Sequence, residues 1–224
     1  MLSFFKEYKI FAIVFGVIST IIMCIIYNTL NVDKPLPVYA PSQVDPVLVD
    51  STIQHKKKYH KIANFSLTNQ NGKTITQDDY KDKIYVADFF FTTCRTICPI
   101  MTTNMAEIQK AILDDDNVML LSHSVTPEID SVAQLKRYAI KKGVNDKKWN
   151  LVTGDKKDIY KLARKSYLAV KDQGDGGPFD MVHTENFMLI DKKKQIRGFY
   201  DGTQKEEIDR LLDDIAILKK EYKD

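Results

Sequence analysis

Apolar and polar positions along this chain fall into blocks with different periods. The run IFAIVFGVISTIIMCIIY, Ile10 to Tyr27, carries no charged residue. As a helix it spans about 27 Å, close to the thickness of bilayer hydrocarbon. Lys6 and Lys9 precede it, which predicts a cytoplasmic N-terminus, 1–9, and a chain that crosses the membrane once over 10–27. A cleaved signal peptide needs a shorter apolar core and a small-x-small site, and NTLNVDKP offers none. Acylation at Cys24 is disfavoured by Met23 before it and by the apolar residues after it, so Cys24 is expected to face lipid without a chemical role.

The next stretch, 28–58, contains DKPLPVYAPSQVDP with its four prolines, and predicts an extended tether. Folded patterning starts at about residue 59. KIANFSLTNQNGKTIT reads as two alternating runs around Asn71-Gly72, a hairpin signal. KIYVADFFF, Lys83 to Phe91, is continuously apolar apart from one aspartate, which predicts a strand covered on both faces. A helix is expected from Cys98 to Leu113, with Ile100, Ala106, Ile108, Ala111 and Ile112 available for burial. NVMLLSHSV is a second buried strand, and PEIDSVAQLKRYAIKKG a helix stopped by Gly143. WNLVTG is a short strand, and DKKDIYKLARKSYL a helix opened by Asp155. ENFMLID and QIRGFYDG are strands joined by a Lys-rich turn, and TQKEEIDRLLDDIAILKK closes the chain as an amphipathic helix with Thr203 as its cap. Alternating strands and helices followed by two adjacent strands predict an α/β domain over 59–224. This is the order of a thioredoxin-like fold with an N-terminal β-hairpin.

Composition adds little until the cysteines are placed. Lysine and arginine total 33 against 30 acidic residues, a net charge of +3, which argues against a nucleic-acid partner. The membrane topology puts the folded part outside the cytoplasm, where disulfides persist. That part contains two of the three cysteines, Cys94 and Cys98, in FFFTTCRTICPIM. The predicted elements put Cys94 in the turn after a strand and Cys98 in the first turn of the next helix. This is the edge where open α/β sheets place their sites. Free N–H groups and the positive helix end favour thiolate there, and Arg95 can add charge. A purely structural bridge would close a short loop and gain little.

Three chemistries fit the pair. A thiol–disulfide couple would use Cys94 as nucleophile and Cys98 as resolving thiol. Zinc would need a second ligand pair, which the chain does not supply. Copper is satisfied by two thiolates and one imidazole. The histidines are His55, His60, His123 and His183. His55 and His60 flank the KKKY segment and read as solvated, and His123 ends a strand at the same sheet edge, where it could approach the site, though such a residue is more often a satisfied edge histidine. Of the four, His183 is the best candidate for a third ligand, since it lies just before ENFMLID, which is expected to neighbour the cysteine strand. Its position at the leading end would require the loop KDQGDGGPFDMVH to fold over the cysteine corner, and spacing alone makes it a surface-loop residue. Thioredoxin-like oxidoreductases usually carry a proline just before the matching strand. Here Pro178 is too early and MVHTENF occupies the place. Met101 and Met105 read as core, and Met181 as a weak soft-ligand candidate. Asp180 and Glu185 could orient His183. The glycines of the loop would let His183 move.

These residues resemble the SCO/SenC family of membrane-anchored, thioredoxin-like copper proteins. The resemblance rests on FFFTTCRTICPIM with its C-x-x-x-C-P core, on SVTPEIDSVAQLKRYA after a strand, and on VHTENFMLID. It runs from about His60 to Leu218. It implies that Cys94, Cys98 and His183 bind copper. It also implies that the protein assists assembly of the copper centre of cytochrome c oxidase subunit II, or keeps that subunit's cysteines reduced. A membrane-tethered thiol–disulfide oxidoreductase is the alternative. Family members commonly have aspartate where Thr126 stands, a departure expected to bear on surface and partner contacts rather than on the metal site. With no Arg-rich presequence before the apolar run, the expected location is a bacterial cytoplasmic membrane, with the domain on its outer, periplasmic face.

Overall fold

The computed structural model describes residues 8–30, 35–46, 49, 52–57, 60–170, 177, 182 and 184–222. Two units separate, Met1–Pro35 and Leu36–Asp224. The first is built around helix α1, Lys9–Leu30, whose segment Lys9–Tyr27 has a mean hydropathy of 2.7 and is long and apolar enough to cross a membrane. Cys24 sits exposed on it.

The second unit contains strands β1 (Ser66–Asn69), β2 (Thr74–Thr76) and β3 (Ile84–Phe90), then helix α2 (Cys98–Ala111) and β4 (Val118–Ser124). Helix α3 (Val132–Lys142), β5 (Trp149–Thr153) and α4 (Lys156–Lys161) follow, the last running into a π turn at Leu162–Ser166. Strands β6 (Asn186–Ile190) and β7 (Ile196–Asp201) and helix α5 (Lys205–Glu221) complete it. The sheet is mixed, in the order β2-β1-β5-β4-β3-β6-β7. β3, β4 and β5 are parallel, while β1, β6 and β7 join antiparallel to their neighbours. The expected α/β thioredoxin-like fold with its hairpin is the fold observed.

Every residue of β3 is buried, because helices cover both faces of the sheet. Ile84, Val86 and Phe90 pack with α2 and α5 through Met101, Met105, Ile108, Ile208, Leu211 and Ile215. Tyr85, Ala87 and Phe89 pack on the opposite face with Ile159, Tyr160, Ala163 and Tyr167. Ile100 is not part of the helix's apolar stripe, being 49 % exposed; the stripe runs through Cys98, Met101, Met105, Ile108 and Ile112. Local signals largely set the boundaries. Asn69 Oδ1 accepts from the N–H groups of Asn71 and Lys73 around Gly72 at φ +75°, the predicted hairpin turn. Asp155 caps α4 by accepting from Asp158 N–H at 3.1 Å, and Gly143 ends α3 at φ +71°. Two starts differ from expectation. α3 begins only after Ser131, whose hydroxyl accepts from Gln134 N–H. Thr203 does not cap α5: Asp201 takes both its N–H and its hydroxyl, leaving Gln204 at the cap.

The segment expected as tether over 28–58 also differs, since the chain from Leu36 on clusters with the domain. Tyr39 N–H donates to Ile196 O at 2.9 Å, extending the β7 edge, and its ring meets Phe199 edge-on. The buried Arg197 guanidinium donates to the carbonyls of Leu36 and Pro37, to Asp191 at 3.1 Å and to Glu221 at 2.6 Å. Glu221 in turn accepts from Leu36 N–H at 2.7 Å. Arg197→Met strands the buried Asp191 carboxylate without its cation, so urea unfolding is expected to show a loss of about 3–5 kcal/mol. A loss below about 1 kcal/mol, the value of a surface ion pair, would make the strap peripheral.

Candidate metal centre

Phe91 O accepts from Cys94 N–H at 3.3 Å, turning the chain sharply as it leaves β3. α2 then starts at Cys98 with Pro99 as its second residue, where a missing N–H costs nothing. Ile97 offers no capping side chain. Instead the Cys94 sulfur lies 3.5 Å from Cys98 N–H and 3.6 Å from the Thr96 hydroxyl, filling the helix N-terminus itself.

Both cysteines are free thiols, but their surroundings differ. Cys98 is 3 % exposed and packs with the core, whereas Cys94 is partly open to solvent. Burial works against ionisation of Cys94, yet the bonds from Thr96 and from Cys98 N–H outweigh it and bring its thiol down to about 7. Burial pushes Cys98 up to about 12, and the neighbouring Cys94 adds to the rise. The two therefore ionise in sequence, Cys94 first.

Both line one cavity of about 220 Å³ with Phe89, Phe91, Ile97 and Val125. Val182 and Thr184, the residues on either side of position 183, line the same cavity. The reason is strand direction. β6 pairs antiparallel to β3, with Ala87 opposite Met188, so the chain enters β6 at the cysteine end. The leading end of this strand, at Val182 and Thr184, therefore lies at the cysteine corner, whereas the expectation from sequence placed that end away from it. His183, Met181 and Asp180 lie outside the described residues. Glu185 is exposed, and its carbonyl accepts from Gly202 N–H.

The other candidates are placed elsewhere. Among the described residues no group of three His, Cys, Asp or Glu side chains could hold a metal ion. Met101 and Met105 are fully buried core residues, as expected. His55 is exposed. His60 is not solvated: it is half-buried, with Nε2 2.6 Å from Ser166 O, and burial lowers its pKa. His123 is not a satisfied edge residue. It is fully buried, stacked on Phe89 at 4.8 Å, with Nδ1 against Asp88 O and no partner for Nε2. Sequence reasoning passed over two carboxylates near the site. Asp88 is 3 % exposed with one oxygen unpartnered, and the signal for it was a lone acid inside YVADFFF. Asp130, fully buried, bonds the loop that carries Cys94.

The SCO1/SenC family model matches residues 53–219, a span that contains the sheet, both cysteines and His183. The chain belongs to the SCO1/SenC family. Among solved structures, a SCO1/SenC family lipoprotein from Bacillus anthracis str. Ames is similar at 33 % identity and a TM-score of 0.63, covering 71 % of this chain and 95 % of that one. BsSco, described as a member of the Sco family of cytochrome c oxidase assembly proteins with a disulfide switch, is 30 % identical with a TM-score of 0.61, covering 71 % and 93 %. Arabidopsis thaliana ScoI with copper bound is 25 % identical with a TM-score of 0.57, covering 71 % and 98 %. In this SCO1/SenC chain the departure at Thr126 is not a surface matter. Thr126 is 7 % exposed and its hydroxyl donates to Asp130, so it belongs to the scaffold of the cysteine loop.

Proposed function

We propose that this chain is a membrane-anchored copper-binding protein that assists assembly of the copper centre of cytochrome c oxidase, with subunit II as the recipient and copper as cargo. Cys94 and Cys98 supply thiolates and His183 supplies the nitrogen. One observation carries the reading: a single cavity is lined by both cysteines and by the two residues that flank His183. Soft thiolates with one imidazole suit copper, and closed structural zinc would need a fourth ligand. The copper-bound and assembly-associated relatives point the same way. The helix Lys9–Tyr27 is read as a single-pass anchor in a bacterial cytoplasmic membrane, with the domain on the outer face. The Bacillus anthracis relative is a lipoprotein, which makes acylation at Cys24 the competing form of attachment. In cells lacking the protein, membrane cytochrome c oxidase activity is expected to fall. The wild-type chain restores it and His183→Ala does not. Unchanged oxidase activity in the deletion would overturn the assembly role.

The unequal cysteines favour a second reading, a thiol–disulfide oxidoreductase. An accessible thiol ionising near neutrality beside a buried one is the division between attacking and resolving groups. That reading predicts disulfide turnover that is lost in Cys94→Ser and kept in His183→Ala.

A further inference from the structure

The loop that carries Cys94 has little holding it. Thr93, Arg95 and Thr96 are exposed. Apart from Cys98, whose thiol faces Cys94, the side chains from outside the loop seen to hydrogen-bond residues 92–96 among the described residues are Gln134 and Asp130, and both do so at Thr92. Asp130 is the stronger. Its carboxylate accepts from Thr92 N–H at 3.2 Å and from the Thr92 hydroxyl at 2.5 Å. It also accepts from Ser124 Oγ at 2.6 Å and Thr126 Oγ1 at 3.2 Å. Ser124 ends β4, and Val125 N–H donates to Phe90 O at 2.9 Å, joining the ends of β3 and β4. One fully buried carboxylate thus ties Thr92, the first residue of the cysteine loop, to the rigid rim of the sheet.

We propose that Asp130 is a positioning residue for the cysteine pair: through Thr92 it holds the Cys94 sulfur within reach of Cys98. The inference rests on the reading of Cys94 and Cys98 as the working pair, and not on which cargo they carry. A carboxylate suits the place because its two oxygens accept four hydrogen bonds at once, and such bonds to a charged acceptor are short and strong. An apolar side chain would leave the buried Ser124 and Thr126 hydroxyls, and the half-buried Thr92 N–H and hydroxyl, without this acceptor. The loop would then be held by the single bond from Gln134 to Thr92, by the Cys94 sulfur contacts to Cys98 and Thr96, and by the Cys94 turn bond to Phe91. Bond formation between two groups, or shared coordination by them, depends on how far their geometry is fixed in advance.

The test uses the full-length chain in detergent micelles. In glutathione buffers the reaction is dithiol plus oxidised glutathione giving the Cys94–Cys98 disulfide and two reduced glutathiones. Its equilibrium constant is the effective concentration of the pair. Asp130→Ala is expected to lower this constant about tenfold or more, with Asp130→Asn falling between it and the wild type. Gln109→Ala serves as a destabilised control. It removes two hydrogen bonds, to Gly143 O and from Asn145 N–H, away from the loop, and the constant is expected to stay at the wild-type value. Should Asp130→Ala fail to fold, Thr92→Val and Ser124→Ala, each removing one clamp bond to the Asp130 carboxylate, are expected to lower the constant about threefold each. Cu(I) affinity, read by competition with a chromogenic chelator, is expected to follow the same order. A folded Asp130→Ala within about twofold of wild type in the glutathione constant would overturn the proposal and leave Asp130 a stabilising residue only. If the wild type itself held no copper, the copper reading would fail while the glutathione constant still decided the role of Asp130.

Discussion

Copper bound per chain, counted on the reduced full-length protein after removal of excess, is expected to drop from about one to near zero in Cys94→Ser and in Cys98→Ser. His183→Ala is expected to retain copper only at low chelator concentration. The magnitude follows from sharing. A closed metal site provides on the order of 10 kcal/mol, so each of three or four ligands is worth about 3 kcal/mol, or about a hundredfold in affinity. Cys98→Ser has a second cost, because that residue packs with Met101 and Met105 and the hydroxyl enters an apolar layer. Circular dichroism separates this from ligand loss, since a folded variant without copper lacks a ligand and not its core. Undiminished copper in His183→Ala would demote that residue and put the dithiol chemistry first.

The second large effect concerns stability and pH. Burial raises the Asp88 carboxyl to about 7, a bond from Ser122 only partly offsetting it, and burial lowers the His123 imidazole to about 4. Between about pH 4 and 6.5 unfolded His123 binds a proton that the folded form refuses, so acidification destabilises the fold. Over the same window unfolded Asp88 releases a proton that the folded form keeps, so raising the pH destabilises it. Each contributes a slope of up to about 1.4 kcal/mol per pH unit, with opposite sign, and in the wild type they nearly cancel. Asp88→Asn removes one of them. Its stability is expected to fall by about 3 kcal/mol as pH drops from 6.5 to 4. His123→Phe, a ring of similar shape in the cage of Phe65, Phe89 and Tyr167, is expected to tilt the other way, losing stability as pH rises toward 7. Chemical unfolding at three pH values checks both. Parallel profiles for the two variants would show that neither group titrates as its burial implies.

Much of this was legible in the sequence because local chemistry and tertiary need agreed. The apolar run of β3 announced a strand covered on both faces, and Asp155, Gly143 and Asn71-Gly72 marked their boundaries. Where a side chain found a better tertiary partner, the local sign misled. Thr203 looks like a cap but Asp201 takes its hydroxyl. Asp130 looks like part of the first turn of α3 but turns inward to Thr92, and the helix waits for Ser131. The histidines were harder. Nothing local tells that His60 meets Ser166 O, or that His123 lies inside an aromatic cage. The direction of β6 was the largest gap. Alternation gives a strand but not its sense, and the sense is what brings Val182 and Thr184 to the cysteine cavity.

The central claim is a site of two thiolates and one imidazole, and X-ray absorption at the copper edge of the loaded full-length chain tests it most directly. The expected spectrum for the wild type contains sulfur scattering together with the multiple-scattering pattern of imidazole, and His183→Ala retains the sulfur and loses the imidazole. Sulfur alone in the wild type, or imidazole persisting in the variant, would contradict the assignment.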